Sequence, residues 1–276
     1  MTTRKIKNMN IRVLSAVVGI AVCCIVIFYL PEWCSVLLFT VAAGLMSYEF
    51  TYKTGLVSNK TKVSLSVGFS AILPWLFYLK ADSILLVFSV FLFISLIFAV
   101  SLFEKRSDTN DLFVCLFGGF FLPSIVSILV AVLDMNNNKM LLLIPFIASW
   151  TPDSFAHIIG SLFGKHKLLP HISPNKTVEG AVGGVIGGIA GMLIYGSILH
   201  LLNYNVNWLF FIIIGLVGAV FGLLGDLSFS YIKRKCCIKD YGNLIPGHGG
   251  VLDRFDSTLF VIPVCVFIIQ NTALIY

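Results

Sequence analysis

The stretch ILLVFSVFLFISLIFAVSL, Ile84 to Leu102, holds no charged residue from end to end. A helix of that length, at 1.5 Å per residue, nearly spans a hydrocarbon core about 30 Å thick. Eight further stretches read the same way: Ile11–Leu30, Trp33–Phe50, Val63–Leu79, Leu112–Leu133, Met140–Phe163, Val178–Leu202, Trp208–Ile232 and Thr258–Ile275. Prolines at 74, 123, 145, 152 and 263 fall inside them, which membrane helices tolerate.

Composition points the same way. Of 276 residues, 58% are hydrophobic and 12% charged, and the mean hydropathy is +0.96. Soluble domains carry about 25% charged residues. Half that supply cannot cover a globule of this size, so lipid is the solvent for most of the chain. The expected fold is an all-α polytopic integral membrane protein of about nine transmembrane helices.

The cations set the expected orientation. With the N-terminus cytoplasmic, the cytoplasmic segments hold Arg4, Lys5, Lys7 and Arg12; Lys53, Lys60 and Lys62; Lys105 and Arg106; Lys165, Lys167 and Lys176; and Lys233, Arg234, Lys235, Lys239 and Arg254. Of the 19 lysines and arginines, only Lys80 and Lys139 fall outside. Basic loops stay on the cytoplasmic side. The net charge of +6 follows from this topology and an anionic inner leaflet, so no nucleic-acid partner is expected. The basic, then apolar start resembles a signal peptide, but its apolar body is long and no A-x-A site follows closely. An uncleaved first helix is expected. The seven cysteines lie mostly in apolar segments without metal or redox spacing.

The chain reads as one transmembrane domain in two parts. Residues 1–139 are generic membrane helices, where Glu49 and Asp111 read as solvated charges near helix ends. Residues 140–276 carry the chemistry, with cytoplasmic loops 164–177 and 233–257. There Asp153, Glu179 and Asp226 lie in or at the edge of membrane helices. A charge at a helix centre costs about 2.5–3.5 kcal/mol on insertion scales, so such residues are functional candidates. Glycines at 180, 184 and 188, at 183, 187 and 191, and at 215, 218, 222 and 225 form helical stripes that suit close helix packing.

The charged stretch LIPGHGGVLDRFDS, Leu244 to Ser257, stands out from this background. Asp253 and Asp256, three apart, share one face of a helical turn. Carboxylates suit Mg²⁺, which takes one or two of them plus substrate phosphates. The plainer reading has Asp256 capping the last helix, which leaves Asp226 and the nearby cations unexplained. Glycine-rich loops expose amides that bind anions. Lys233, Arg234, Lys239 and Arg254 flank this one, and Lys165, Lys167 and Lys176 stand on the other cytoplasmic loop. Phosphate chemistry with a divalent metal is indicated. No G-x-x-x-x-G-K-[ST], G-x-S-x-G or H-E-x-x-H pattern is present.

SYIKRKCCIKDYGNLIPGHGGVLDRFD, Ser230 to Asp256, resembles the signature of the phosphatidate cytidylyltransferases: S-x-apolar-K-R, four residues, K-D-x-G, then P-G-H-G-G-x-x-D-R-x-D. Every fixed position is met. PDSFAHIIGSLFGKHKLLPHISPNKTVEGAVGG, from Pro152, is similar to the family's second block, and Gly225-Asp226 also matches. The likeness covers about the last 125 residues. Phe229 stands where many relatives are acidic, and His157 where they have tyrosine.

The resemblance implies the transfer of a cytidylyl group from CTP to phosphatidic acid, giving CDP-diacylglycerol and pyrophosphate for phospholipid synthesis. The nucleophile is a phosphate oxygen already ionised at neutral pH, so no strong base is needed. Repulsion is the obstacle: two unit charges 4 Å apart repel by about 4 kcal/mol at an effective dielectric of 20. On this reading Asp226, Asp253 and Asp256 hold Mg²⁺, with room for a second cation, and Asp240 is a weaker ligand. Ser230, Lys233 and Arg234 contact phosphates. Gly247, Gly249 and Gly250 let backbone approach the triphosphate, beside His248, Lys239 and Arg254. Lys167 and Lys176 take the lipid phosphate or CTP, and Asp153 orients a cation or a lysine. The compact length resembles bacterial members, which implies an inner (plasma) membrane and a site facing the cytoplasm. A homodimer is compatible with the sequence. Alternatives are a transporter, whose repeated halves are not seen, and a CTP-dependent polyprenol kinase, which would yield a phosphorylated alcohol.

Overall fold

The structure, a computed structural model, describes residues 18–104, 108–133, 139–244, 249–272 and 274. Helix α1 is Val18–Tyr29. Then follow α2 (Glu32–Tyr48), α3 (Lys60–Tyr78), α4 (Ser83–Phe103), α5 (Thr109–Leu116), α6 (Leu122–Leu133), α7 (Ile144–Phe163), α8 (Val178–Leu201), α9 (Trp208–Lys235) and α10 (Leu252–Asn271). Between α7 and α8 lies a two-stranded antiparallel hairpin, β1 (Lys167–Leu169) and β2 (Ser173–Thr177). The expected loop 164–177 is thus mostly hairpin.

Each of the nine apolar stretches overlaps a helix. Among the described residues six segments are long and apolar enough to cross a membrane: Glu32–Lys53, Ser83–Phe103, Thr109–Leu133, Lys139–Phe163, Val178–Leu201 and Trp208–Lys235. The architecture is that of an all-α integral membrane protein. Arg4, Lys5, Lys7, Arg12, Lys105 and Arg106, used above for orientation, lie outside the described residues, as does the start of the first stretch.

The chain forms two compact units. One comprises Met1–Asn137 with Cys236–Arg254, the other Asn138–Lys235 with Phe255–Tyr276. The signature loop after α9 therefore belongs with the first half of the sequence.

In the first unit α2, α3 and α6 pack together. Phe69 and Phe93 stack with ring centroids 4.4 Å apart. Side chains cap the helix starts: Asn59 accepts from the amides of Thr61 and Lys62, Asp82 from Leu85, and Asp108 from Asn110. π-Helical turns interrupt the helices at Glu49–Lys53 and Phe117–Phe121.

One expectation fails here. Lys62, counted above among the cytoplasmic cations, is fully buried. Its Nζ lies 2.7 Å from Glu104 Oε2 and 3.1 Å from Asp111 Oδ2. Asp111, read as solvated, is buried as its partner. A lysine leaves water at this cost only when paired, and its partners lie 42 and 49 residues along the chain.

In the second unit α8 packs along α7 and α9. The glycine stripes make the approach possible. A Cβ on Gly188 would sit 2.6 Å from the Gly215 carbonyl oxygen, and one on Gly225 would sit 2.6 Å from the Asp256 carbonyl oxygen. No side chain fits at either distance. Ser149 of α7 and Thr258 of α10 share a hydrogen bond of 2.8 Å.

Candidate active site

Within the second unit, α8, α9, α10 and the hairpin bring charged side chains together. Asp226 sits nine residues before the end of α9. Its Oδ1 accepts from the Ser230 hydroxyl, one turn on, at 3.2 Å. Its Oδ2 lies 2.5 Å from Lys176 Nζ on β2. Lys176 stands just before Thr177, whose hydroxyl accepts the Gly180 amide at 3.1 Å and so starts α8.

Asp256, on the second turn of α10, is buried. Lys233 of α9, also buried, places Nζ 3.8 Å from Asp256 Oδ2. Gly225 lets α9 approach the Asp256 backbone. The charges of Asp226 and, more weakly, Asp153 repel Asp256, while Lys233 offsets them. Arg234 donates Nε–H to the Ile172 carbonyl at 3.3 Å, tying the end of α9 to the hairpin.

Glu179, grouped above with the intramembrane acids, accepts the His166 amide at 3.2–3.3 Å and lies 2.6 Å from His166 Nδ1. It closes the base of the hairpin. Phe229 is buried and meets Phe260 edge to face, centroids 6.3 Å apart. His157 and Lys167 are exposed.

The first unit holds the rest of the signature. Lys239, Asp240 and Arg254 are exposed. Gly247 and His248 lie outside the described residues. Asp253 is buried, and its Oδ2 accepts the amides of Tyr241 at 2.8 Å and Gly250 at 3.0 Å. Gly249 has φ +85°, a left-handed conformation that favours glycine. A Cβ on Gly250 would lie 2.5 Å from Glu49 Oε2.

The residue missed in the sequence is Glu49. It is not solvated at a helix end but 3% exposed. It accepts the amides of Val251 at 3.0 Å and Leu252 at 2.8 Å. The rule that buried membrane carboxylates are functional candidates would have found it.

Among the described residues no three histidine, cysteine or acidic side chains form a ready-made metal cage. Asp226 and Asp256 are carboxylates that could hold Mg²⁺, which usually takes one or two protein carboxylates and completes its shell with water and substrate phosphates. Their mutual repulsion is the electrostatic condition a divalent cation relieves.

The site gathers carboxylates and cations suited to phosphate groups. The chain matches the model of the cytidylyltransferase family over residues 10–272 and belongs to that family. It is 44% identical over 122 residues to a phosphatidate cytidylyltransferase of Staphylococcus haemolyticus strain JCSC1435, covering 44% of this chain and 46% of that protein. It is 45% identical over 123 residues to the phosphatidate cytidylyltransferase of Bacillus subtilis strain 168, covering 45% of each. The Staphylococcus aureus strain COL protein of that name is 41% identical over 131 residues, 47% of this chain and 49% of that protein. The chain spans about half the length of the curated relatives it matches.

Proposed function

We propose that the protein is a phosphatidate cytidylyltransferase. A phosphate oxygen of phosphatidic acid attacks the α-phosphorus of CTP. The bond from that phosphorus to the oxygen bridging the β-phosphate breaks, CDP-diacylglycerol forms and pyrophosphate leaves. The observation that carries this reading is the pairing of Asp226 with Lys176 and of Asp256 with Lys233 within one unit of a cytidylyltransferase-family chain. The names of the relatives supply the substrates.

The residues have distinct tasks. Lys176 and Lys233 neutralise phosphate charge, so that two anions can meet. Ser230 fixes the rotamer of Asp226 by its hydrogen bond. Arg234, tied to the hairpin, keeps positive charge at the end of α9. Asp226 and Asp256 would hold Mg²⁺, which when bound stabilises charge on the transferring and leaving phosphates. Lys167, Lys239, Asp240, Gly249, Asp253 and Arg254 join the site on the signature pattern alone, as do Gly247 and His248; Gly250 shapes the loop, its amide held by Asp253. A second cation and a homodimer are compatible with this reading and not required by it.

The nine apolar stretches and their alternating cations support nine crossings, a cytoplasmic N-terminus and a cytoplasmic site. The bacterial relatives support the inner (plasma) membrane. The test is direct. Purified full-length protein in phosphatidate-containing micelles should convert CTP to equal amounts of CDP-diacylglycerol and pyrophosphate. Transport of a solute across vesicles with no lipid product would overturn the reading.

A further inference from the structure

Glu49 lies at the head of the first π-helical turn. Burying a carboxylate is expensive unless its oxygens are satisfied. Here Oε1 takes the Val251 amide and Oε2 the Leu252 amide. Val251 directly precedes α10 and Leu252 opens it, so neither amide has an acceptor inside the helix. A negative charge there also suits the positive end of the helix dipole.

The surroundings are shaped to this contact. Gly242 and Gly250 press their backbones against the Glu49 carboxylate, where a side chain on either would collide with it. Phe50, the next residue, has its ring centroid 6.2 Å from that of Tyr241, which is buried at the other end of the loop. Asp253 closes the ring from within by accepting the Tyr241 and Gly250 amides. Two carboxylates thus accept four loop amides.

We propose that Glu49 is a positioning residue: it fixes the signature loop and the start of α10, and its charge bars phosphate from that helix end. A free helix N-terminus is a ready anion site, and the glycine-rich loop before α10 invites that use. With the amides of 250, 251 and 252 already taken, substrate phosphates are held by side-chain cations instead. This last step rests on the proposed cytidylyl transfer. The capping role does not.

The experiment is hydrogen exchange followed by mass spectrometry on the full-length protein in micelles. In the wild type, inorganic phosphate should leave exchange at residues 250–252 unchanged. Protection of those amides by phosphate would overturn the proposal without any variant having to fold. Glu49→Gln keeps the shape but leaves one oxygen to serve two amides. It should speed exchange there by about tenfold or more while α8 exchanges as in the wild type. It should also lower kcat about 100-fold with KM for CTP changed less than about threefold, as expected of displaced groups rather than lost binding. Glu49→Asp, which keeps two acceptors, should recover part of both losses. Wild-type exchange in Glu49→Gln would overturn the capping role. Wild-type protein that makes no CDP-lipid while its exchange behaves as described would overturn the proposed reaction and leave the capping role standing.

Discussion

Lys176 Nζ lies 2.5 Å from Asp226 Oδ2, so a cation on the hairpin and an acid nine residues inside α9 form one unit. The pair is part-exposed, with side-chain exposures of 22% and 27%, so it contributes little to stability. Function is the better account of its place in an apolar helix.

Asp226→Asn should therefore leave the fold intact and remove turnover. We expect a fall of about 1,000-fold or more, equivalent to about 4 kcal/mol of transition-state stabilisation. Melting should shift by no more than about 2–4 °C. CTP turnover and a thermal melt on the same sample check both. Near-normal turnover would remove Asp226 from the site.

Lys233 behaves differently because it and Asp256 are both buried. Lys233→Ala strands the Asp256 charge, at a cost of about 3–5 kcal/mol. Lys233→Arg should recover most of the stability. Denaturation in mixed micelles reads the difference, and equal stability of the two variants would contradict it.

Chelation by EDTA should abolish turnover, and added Mg²⁺ should restore it. The melting temperature should barely change, since among the described residues no three potential ligands form a structural cage. Turnover indifferent to chelation would end the role given to Asp226 and Asp256.

The Lys62 cluster predicts an acid limit. The hydrogen bond from Lys62 holds the Glu104 carboxyl below its ordinary value of 4.5. A depressed folded value means that its contribution is fully present above pH 4.5 and is lost as pH falls through the lowered value. Glu104→Gln should melt below the wild type near neutral pH, and the gap should close as pH falls below 4.5. A gap that does not change with pH would contradict the pairing.

Much of this was legible in the sequence, and for physical reasons. Each apolar run overlaps a helix because lipid imposes length and composition on a helix directly, and among the described residues six segments are long and apolar enough to cross a membrane. The signature brought Asp226, Ser230, Lys233 and Asp256 to attention because their spacing is short and their chemistry rare in an apolar chain. Lys176 was on the page as one loop lysine among several, and only the hairpin and the start of α8 set it against Asp226. The partners of Glu49 and of Lys62 were invisible for another reason. Glu49 accepts backbone amides 202 and 203 residues away, and an amide has no letter in the sequence. Lys62 looked like every other basic loop residue, since the positive-inside pattern accounts for charge but not for burial. The sequence also did not show the local geometry of the glycines at 249 and 250: the first takes a left-handed turn and the second leaves room for the Glu49 carboxylate.

The position of the transferred phosphorus tests the central claim most directly. Purified protein is given phosphatidic acid and CTP labelled at either the α- or the γ-phosphate. The account predicts label in the lipid product from α-labelled CTP and in released pyrophosphate from γ-labelled CTP. Lipid labelled from the γ-phosphate, or no labelled lipid from either, would contradict it.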